Sequence, residues 1–426
     1  MLWVLILVTM LVIGLPFVLN ILGTLMLFLH INLPMLDSKI LVQQIITGIS
    51  PPALVCVPLF ILGAELITSG ETGKRLSRMV MTWLGHLPGG IPVSTNVACT
   101  IFGAVSGSAQ ATLAAMGGSF RPILLRAGYP SSFSFGLILG SAEIALLIPP
   151  SLVFIVYGVI TGTSIGKLYM AGIVPGILMA TLYSAYCVIY SKVKKVGYTE
   201  KKATMGERLT TIKEGIWVFG YPLLIVGGIY TGVFSPTEAA AAAVFYALLV
   251  ESIVYRSLDI GGIIRAAKAT GIVTGVVFIL VGSGQVASWL ISFLNIPEKI
   301  LPQIFGSDPS ALKVLIVINL AYFIACMLVD GLVAMYILTP IFAHYVAMTN
   351  IDPILLGVIV TAQVALGTIT PPFGCDIFTA QVIFRRPYVE IIGHILPFIL
   401  MTVLVIILVI TFPQLALFLP NTMFGK

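Results

Sequence analysis

Four carboxylates stand inside stretches that are otherwise apolar: Glu65, Glu143, Asp330 and Asp376. A carboxylate in such a setting is costly unless it faces a partner or a cavity, so each is a candidate for holding something positive. Asp330 has the most apolar flanks, Met327-Leu328-Val329 before it and Leu332-Val333 just after Gly331. Glu143 is alone among charges between Arg126 and Lys167 and lies six residues before Pro149. Hydroxyls gather in the same regions, at Ser106 and Ser108 on either side of Gly107, at Ser141 and Ser151, and at Thr368 and Thr370. Carboxylate and hydroxyl oxygens are hard ligands that suit alkali and alkaline-earth ions. No nucleophile has a base at useful spacing, and no Walker sequence is present to bind ATP. The chemistry on offer is cation binding, with a cation gradient as the simplest energy source.

Backbone must supply the remaining ligands, and two diproline pairs say where. Pro149-Pro150 and Pro371-Pro372 lie 222 positions apart within apolar sequence, each followed 25 residues later by a further proline, Pro175 and Pro397. Proline lacks a donor and clashes with the preceding turn, so a pair stops a helix and frees carbonyls and amides. At membrane depth such backbone survives only where protein covers it or where it lines a polar cavity, and paired broken helices in two halves of a chain point to a transport site.

The rest of the chain is apolar enough to require a bilayer. Hydrophobic residues make up 59% of 426 and charged residues 9%, so the reading is an all-α polytopic membrane protein. Apolar runs recur at about residues 2–29, 42–68, 89–118, 131–162, 168–191, 216–234, 236–255, 262–293, 311–347, 353–383 and 389–420. The first run has no basic n-region and no small-residue cleavage site, which reads as a retained span. Seven of the 22 basic residues fall between Lys192 and Lys213 and none precedes Lys39, which places that central loop in the cytoplasm by the positive-inside rule. The net charge of +6 therefore reports orientation rather than nucleic-acid binding. Arg121 and Arg126 read as side chains snorkelling to an interface. The five cysteines sit singly in apolar runs, and neither they nor the four histidines show metal-ligand spacing.

The two halves correspond in sequence. Phe60-Ile61-Leu62 recurs as Phe278-Ile279-Leu280, Arg121-Pro122 matches Thr339-Pro340 at the same offset of 218, and Tyr129-Pro130 and Asp352-Pro353 precede the broken segments. The expected organisation is a first repeat over residues 1–191, a basic cytoplasmic linker over 192–215 and a second repeat over 216–426. Each repeat holds a hairpin, at about 89–118 and 311–347, and a broken helix, at about 136–162 and 353–383. Copies with an odd number of crossings are inverted, and a substrate then sits where their broken helices meet.

In these residues the chain resembles the large membrane subunit, DctM-like, of a tripartite ATP-independent periplasmic (TRAP) transporter. The motifs are Pro58-Leu59-Phe60-Ile61-Leu62-Gly63, Leu87-Pro88-Gly89-Gly90 leading to Asn96-Val97, Ser106-Gly107-Ser108, Ile148-Pro149-Pro150-Ser151, Ala171-Gly172-Ile173-Val174-Pro175-Gly176, Ser235-Pro236-Thr237-Glu238-Ala239-Ala240 and Thr370-Pro371-Pro372-Phe373-Gly374. The resemblance implies an elevator-type fold of the bacterial cytoplasmic (inner) membrane, with two inverted-topology repeats, two re-entrant helical hairpins and two discontinuous helices. It also implies uptake of a small organic anion, a carboxylate or sulfonate, with sodium as the coupling ion and no other cofactor. The implied partners are a small four-helix membrane subunit, a periplasmic substrate-binding protein and membrane lipid.

On that basis one sodium half-site comprises Ser106, Ser108, Gly140, Ser141, Pro149 and Pro150, and the other Asp330, Gly331, Gly367, Thr368, Thr370 and Pro371. The solute is expected at Ser106, Gly107, Ser108, Glu143, Ser151 and Asp330. The chain departs from the family pattern at Ala142-Glu143-Ile144-Ala145, where a Gly-Thr-Leu-Gly-like stretch is common, and at Gln363, where Asn is common. A carboxylate at Glu143 could bind a proton, ligate an extra cation or pair with a cationic group on the solute. A self-sufficient ion-coupled organic anion symporter is the alternative transporter. A channel or intramembrane enzyme finds no pore-lining charged ring and no catalytic pair.

Overall fold

The computed structural model describes residues 17–197, 202–306 and 308–425, together with residues 6, 9, 10, 13 and 15. The start of the expected first span and Lys201 of the basic loop lie outside the described residues. Among the described residues every regular element is a helix. Among the described residues six helices are long and apolar enough to cross a membrane: Pro52–Ser69, Ile165–Lys194, Pro236–Val254, Ile260–Phe293, Ala311–Leu328 and Gly331–Met348. Counting each of three sharply bent pairs as one span raises the number to nine.

The first half opens with α1 (Phe17–Asn32), α2 (Lys39–Ile49), α3 (Cys56–Ser69) and α4 (Thr72–Leu84). α4 is amphipathic, burying Leu76, Met79 and Val80 while Lys74 and Arg78 face out. α5 (Gly90–Ser106) and α6 (Ala109–Arg126) then form a hairpin. α5 stops at Gly107, whose φ of +62° is left-handed and whose N–H donates to the Gly103 carbonyl at 2.8 Å, a helix end that glycine adopts without steric cost. α6 starts on Ser108, whose hydroxyl accepts the Ala111 N–H at 3.4 Å, so one orphan amide of the helix start is capped. α7 (Ser131–Leu147) and α8 (Leu152–Thr161) are the broken helix, bent by 41° at the first proline pair. The long α9 (Ile165–Lys194) closes the half.

Beyond the basic linker come α10 (Met205–Gly215), α11 (Trp217–Tyr230), α12 (Pro236–Leu248), α13 (Ile260–Phe293) and α14 (Ile296–Phe305). Capping boxes start α10 (Thr204 with Glu207) and α12 (Ser235 with Glu238), each satisfying two orphan amides reciprocally. A π-helical turn over Leu249–Val254 ends α12 and buries Glu251. That carboxylate accepts the N–H groups of Glu71 (3.0 Å) and Thr72 (3.2 Å) and the hydroxyls of Thr72 and Ser257. It is saturated with donors and so pins the α3–α4 turn, a structural task that its position in the sequence did not reveal.

The second hairpin is α15 (Ala311–Leu328) and α16 (Gly331–Met348), and the second broken helix is α17 (Pro353–Thr368) and α18 (Cys375–Phe384). α19 (Tyr388–Ile392), α20 (Leu396–Thr411) and α21 (Gln414–Phe424) complete the chain.

Matching elements pack in matching ways. α5 lies on α7 as α15 lies on α17, and α7 touches α17. Each exit arm of a hairpin crosses over: α6 packs on α18 and α16 on α8. Helices in lipid approach closely through small residues, and here the small residue changes sides between the halves. A Cβ on Gly103 would stand 2.7 Å from the Ala145 Cβ, while in the second half the glycine is Gly367 and its neighbour is Cys326. Polar ties also correspond. Ser141 donates to the Asn96 side-chain oxygen at 2.8 Å, and Gln363 donates to that of Asn319 at 2.6 Å. Asn96 further donates to the Ala180 carbonyl and the Ser184 hydroxyl.

Candidate functional site

The first hairpin tip is seated on a helix break, and the second lies against the last turns of the helix that leads into its break. In the first half, the face of Gly107 lies so close to the Pro150 carbonyl that a Cβ there would overlap its oxygen. Ser106 is buried and keeps the tip together, exchanging hydrogen bonds with the Thr112 hydroxyl (2.8 Å) and the Ser108 carbonyl (3.2 Å). The Ser108 hydroxyl also donates to the Gln110 side-chain oxygen at 3.1 Å. Both proline pairs contain a cis bond, Pro149-Pro150 and Pro371-Pro372. Ser151 is fully buried and caps α8 by accepting the Phe154 N–H at 3.3 Å.

In the second half, Asp330 is half-buried and caps α16, its Oδ1 accepting the Leu332 N–H at 2.9 Å. The Val333 N–H also reaches this carboxyl. Gly331 lies against Val364 and Gly367 against Cys326, which brings the hairpin down on α17. The hydroxyls of Thr368 and Thr370 point back along α17, donating to the Val364 and Leu366 carbonyls. Both oxygens therefore keep lone pairs free at the break.

Gly140 and Ser141 are placed elsewhere. Gly140 packs on Phe398 of α20, and Ser141 is committed to Asn96, so both serve the α5–α7–α20 packing rather than the tip. Arg121 does not snorkel. Its guanidinium lies 4.4 Å over the Phe135 ring, donates to Ser131 at 2.8 Å and reaches Glu390 at 3.8 Å, tying the first hairpin to the segment after the second break.

Glu143 and Asp376 bring the two half-sites together. Both are buried, at 0% and 1% exposure. Glu143 lies against the Asp376 carboxyl and the Thr368 hydroxyl, yet neither of its oxygens has a hydrogen-bond partner. Asp376 accepts the Gln110 side-chain N–H at 2.6 Å through Oδ1, while its Oδ2 is unpartnered. Gln110, from the first hairpin, is the residue that sequence reasoning missed. Its partner is 266 positions away, and only its neighbours Ser106 and Ser108 marked the place. Among the described residues no three His, Cys, Asp or Glu side chains converge as a metal site, so a cation here would rely on main-chain and hydroxyl oxygens.

A hairpin packed on a broken helix thus occurs in both halves of the chain, and facing carboxyls join the two. The family model for the DctM component of the tripartite ATP-independent periplasmic transporters matches residues 1–415. The chain belongs to that family. Its relatives include the ectoine TRAP transporter large permease protein TeaC of Halomonas elongata, 51% identical over 91% of both chains. The ectoine/5-hydroxyectoine TRAP transporter large permease protein UehC of Ruegeria pomeroyi is 47% identical over 98% of both. Among solved structures, the crystal structure of the YdaH transporter of Alcanivorax borkumensis matches with a TM-score of 0.57 at 16% identity, over 90% of this chain and 91% of that one, a likeness of fold. This TRAP large permease is thus a multi-pass protein of the inner membrane, a transporter subunit and not an enzyme.

Proposed function

We propose that this subunit imports a small carboxylate-bearing solute, of the ectoine type, down a sodium gradient, together with a small four-helix permease subunit and a periplasmic substrate-binding protein. The observation that carries this reading is the seating of the first hairpin tip on the first diproline break, with the second tip packed on the end of α17 just before the second break. Each junction offers carbonyls and hydroxyls to a sodium ion, Asp330 adds a charge, and the start of α6 at Ser108 offers amides to a carboxylate. The sodium half-sites are Ser106, Ser108, Pro149 and Pro150 in the first half, and Asp330, Gly331, Gly367, Thr368, Thr370 and Pro371 in the second. Gly140 and Ser141 support the first from behind.

The repeats, 1–191 and 216–426 around the linker 192–215, are inverted in this reading, and the interlocked tips and breaks travel together as the moving body of an elevator. Sodium that favours the seated tips also favours the solute, since only a ligand that prefers one state can shift the balance between states. The names of the 51% and 47% identical relatives supply the solute class.

The test is uptake of labelled ectoine by liposomes holding both membrane subunits, with the binding protein outside. An inward sodium gradient should drive accumulation, and a potassium gradient should not. Equal uptake under both gradients would refute sodium coupling, and uptake without the binding protein would favour the self-sufficient symporter.

A further inference from the structure

Glu143 and Asp376 come from opposite halves of the chain and meet in a dry site with too little to hold them. Three of their four carboxylate oxygens have no hydrogen-bond partner. Among the described residues no Lys, Arg or His bonds to either. The other polar groups nearby do not neutralise them: Tyr183 on α9 is engaged with Thr402, Cys375 and Cys326 are thiols, and Asp330 is a third carboxyl. The Thr368 hydroxyl donates to the Val364 carbonyl of its own helix and also lies within reach of Glu143, a single neutral donor. Gln110 and the Cys375 thiol donate to one oxygen of Asp376, and the three oxygens that remain suit a cation that brings several N–H donors.

We propose that Glu143 and Asp376 form the receptor for the cationic end of a zwitterionic solute, an amidinium or a guanidinium. This deepens the solute reading given above and rests on it. A planar delocalised cation presents N–H groups in a fork that matches carboxylate oxygens. Gln110 sets the distance between the two ends. It stands in the first turn of α6, where free amides suit a carboxylate, and it holds Asp376 at 2.6 Å. Anion and cation sites are therefore one side chain apart, the span of a small ring that carries a carboxylate and an amidine. Ectoine, with a cyclic amidine and a carboxylate, has this form.

Binding to the purified pair of membrane subunits tests it, using two zwitterions, ectoine and creatine, and two plain anions, pyroglutamate and succinate. Wild type should prefer the zwitterions. Glu143→Gln and Asp376→Asn should each weaken zwitterion binding by about 10- to 100-fold, the scale of a charge-assisted hydrogen bond. Pyroglutamate has no cationic group to make that charge-assisted bond, so its binding should stay within about threefold, with an unchanged melting temperature. Glu143→Asp should restore part of the preference. Wild type that binds creatine but not ectoine refutes the ectoine reading and leaves the receptor standing. Wild type that binds only the anions overturns the receptor, as do variants that keep the preference or lose all four ligands alike.

Discussion

Replacing Gly107 by alanine adds one methyl group where the first hairpin meets the first break. The backbone there has φ +62°, which costs an L-residue about 1–2 kcal/mol. The added Cβ would also overlap the Pro150 carbonyl oxygen and stand 3.2 Å from its carbon, so the tip must withdraw by about 1 Å to regain ordinary contact. Taking about 2 kcal/mol as the total, the equilibrium between seated and unseated tip shifts about 30-fold against seating. Because sodium binds the seated tip in the proposed mechanism, half-maximal sodium for uptake should rise, by up to about 30-fold. Gly118→Ala is the control, since a Cβ at Gly118 meets nothing within 4 Å and should change little or add slight helix stability. Initial uptake rates against sodium concentration, in liposomes with matched amounts of protein, give both numbers. A Gly107→Ala curve that overlays wild type refutes the claim that tip-to-break contact builds the ion site.

Asp330→Asn keeps a capping oxygen for the Leu332 N–H but removes the charge, so expression should hold while uptake falls at least tenfold; wild-type uptake would reduce Asp330 to a cap. Ser108→Ala removes the cap of α6 and should lower the melting temperature by the equivalent of about 1 kcal/mol as well as cutting uptake. Asn96→Ala deletes bonds to Ser141, Ala180 and Ser184, which should cost about 2–3 kcal/mol, seen as a lower melting temperature in detergent. Neutral replacement of Lys194 and Lys202 in the basic linker should leave turnover within twofold, because exposed single charges contribute little.

Elements written into contiguous residues were legible in the sequence. The diproline pairs gave both breaks, Ser106-Gly107-Ser108 and Asp330-Gly331 gave both tips, and hydropathy gave the long spans. The ties across the fold were not legible. Gln110 to Asp376, Asn319 to Gln363 and Arg121 to Glu390 join residues 44 to 269 positions apart, and nothing local to either partner encodes the other. Gly140 and Ser141 came into the ion site through the family resemblance, and their contacts with Phe398 and Asn96 are ties of the same non-local kind. The correspondence of the two halves is plainer in packing than in residue type, since Gly103 lies against Ala145 and Gly367 against Cys326 with the glycine on the other helix.

The crossed exit arms bear on how the protein can be taken apart. Since α6 rests on α18 and α16 on α8, either half expressed alone would expose the flank its twin normally covers. A gene divided within the linker should yield two fragments that are degraded singly and recovered as a stable complex when made in the same cell.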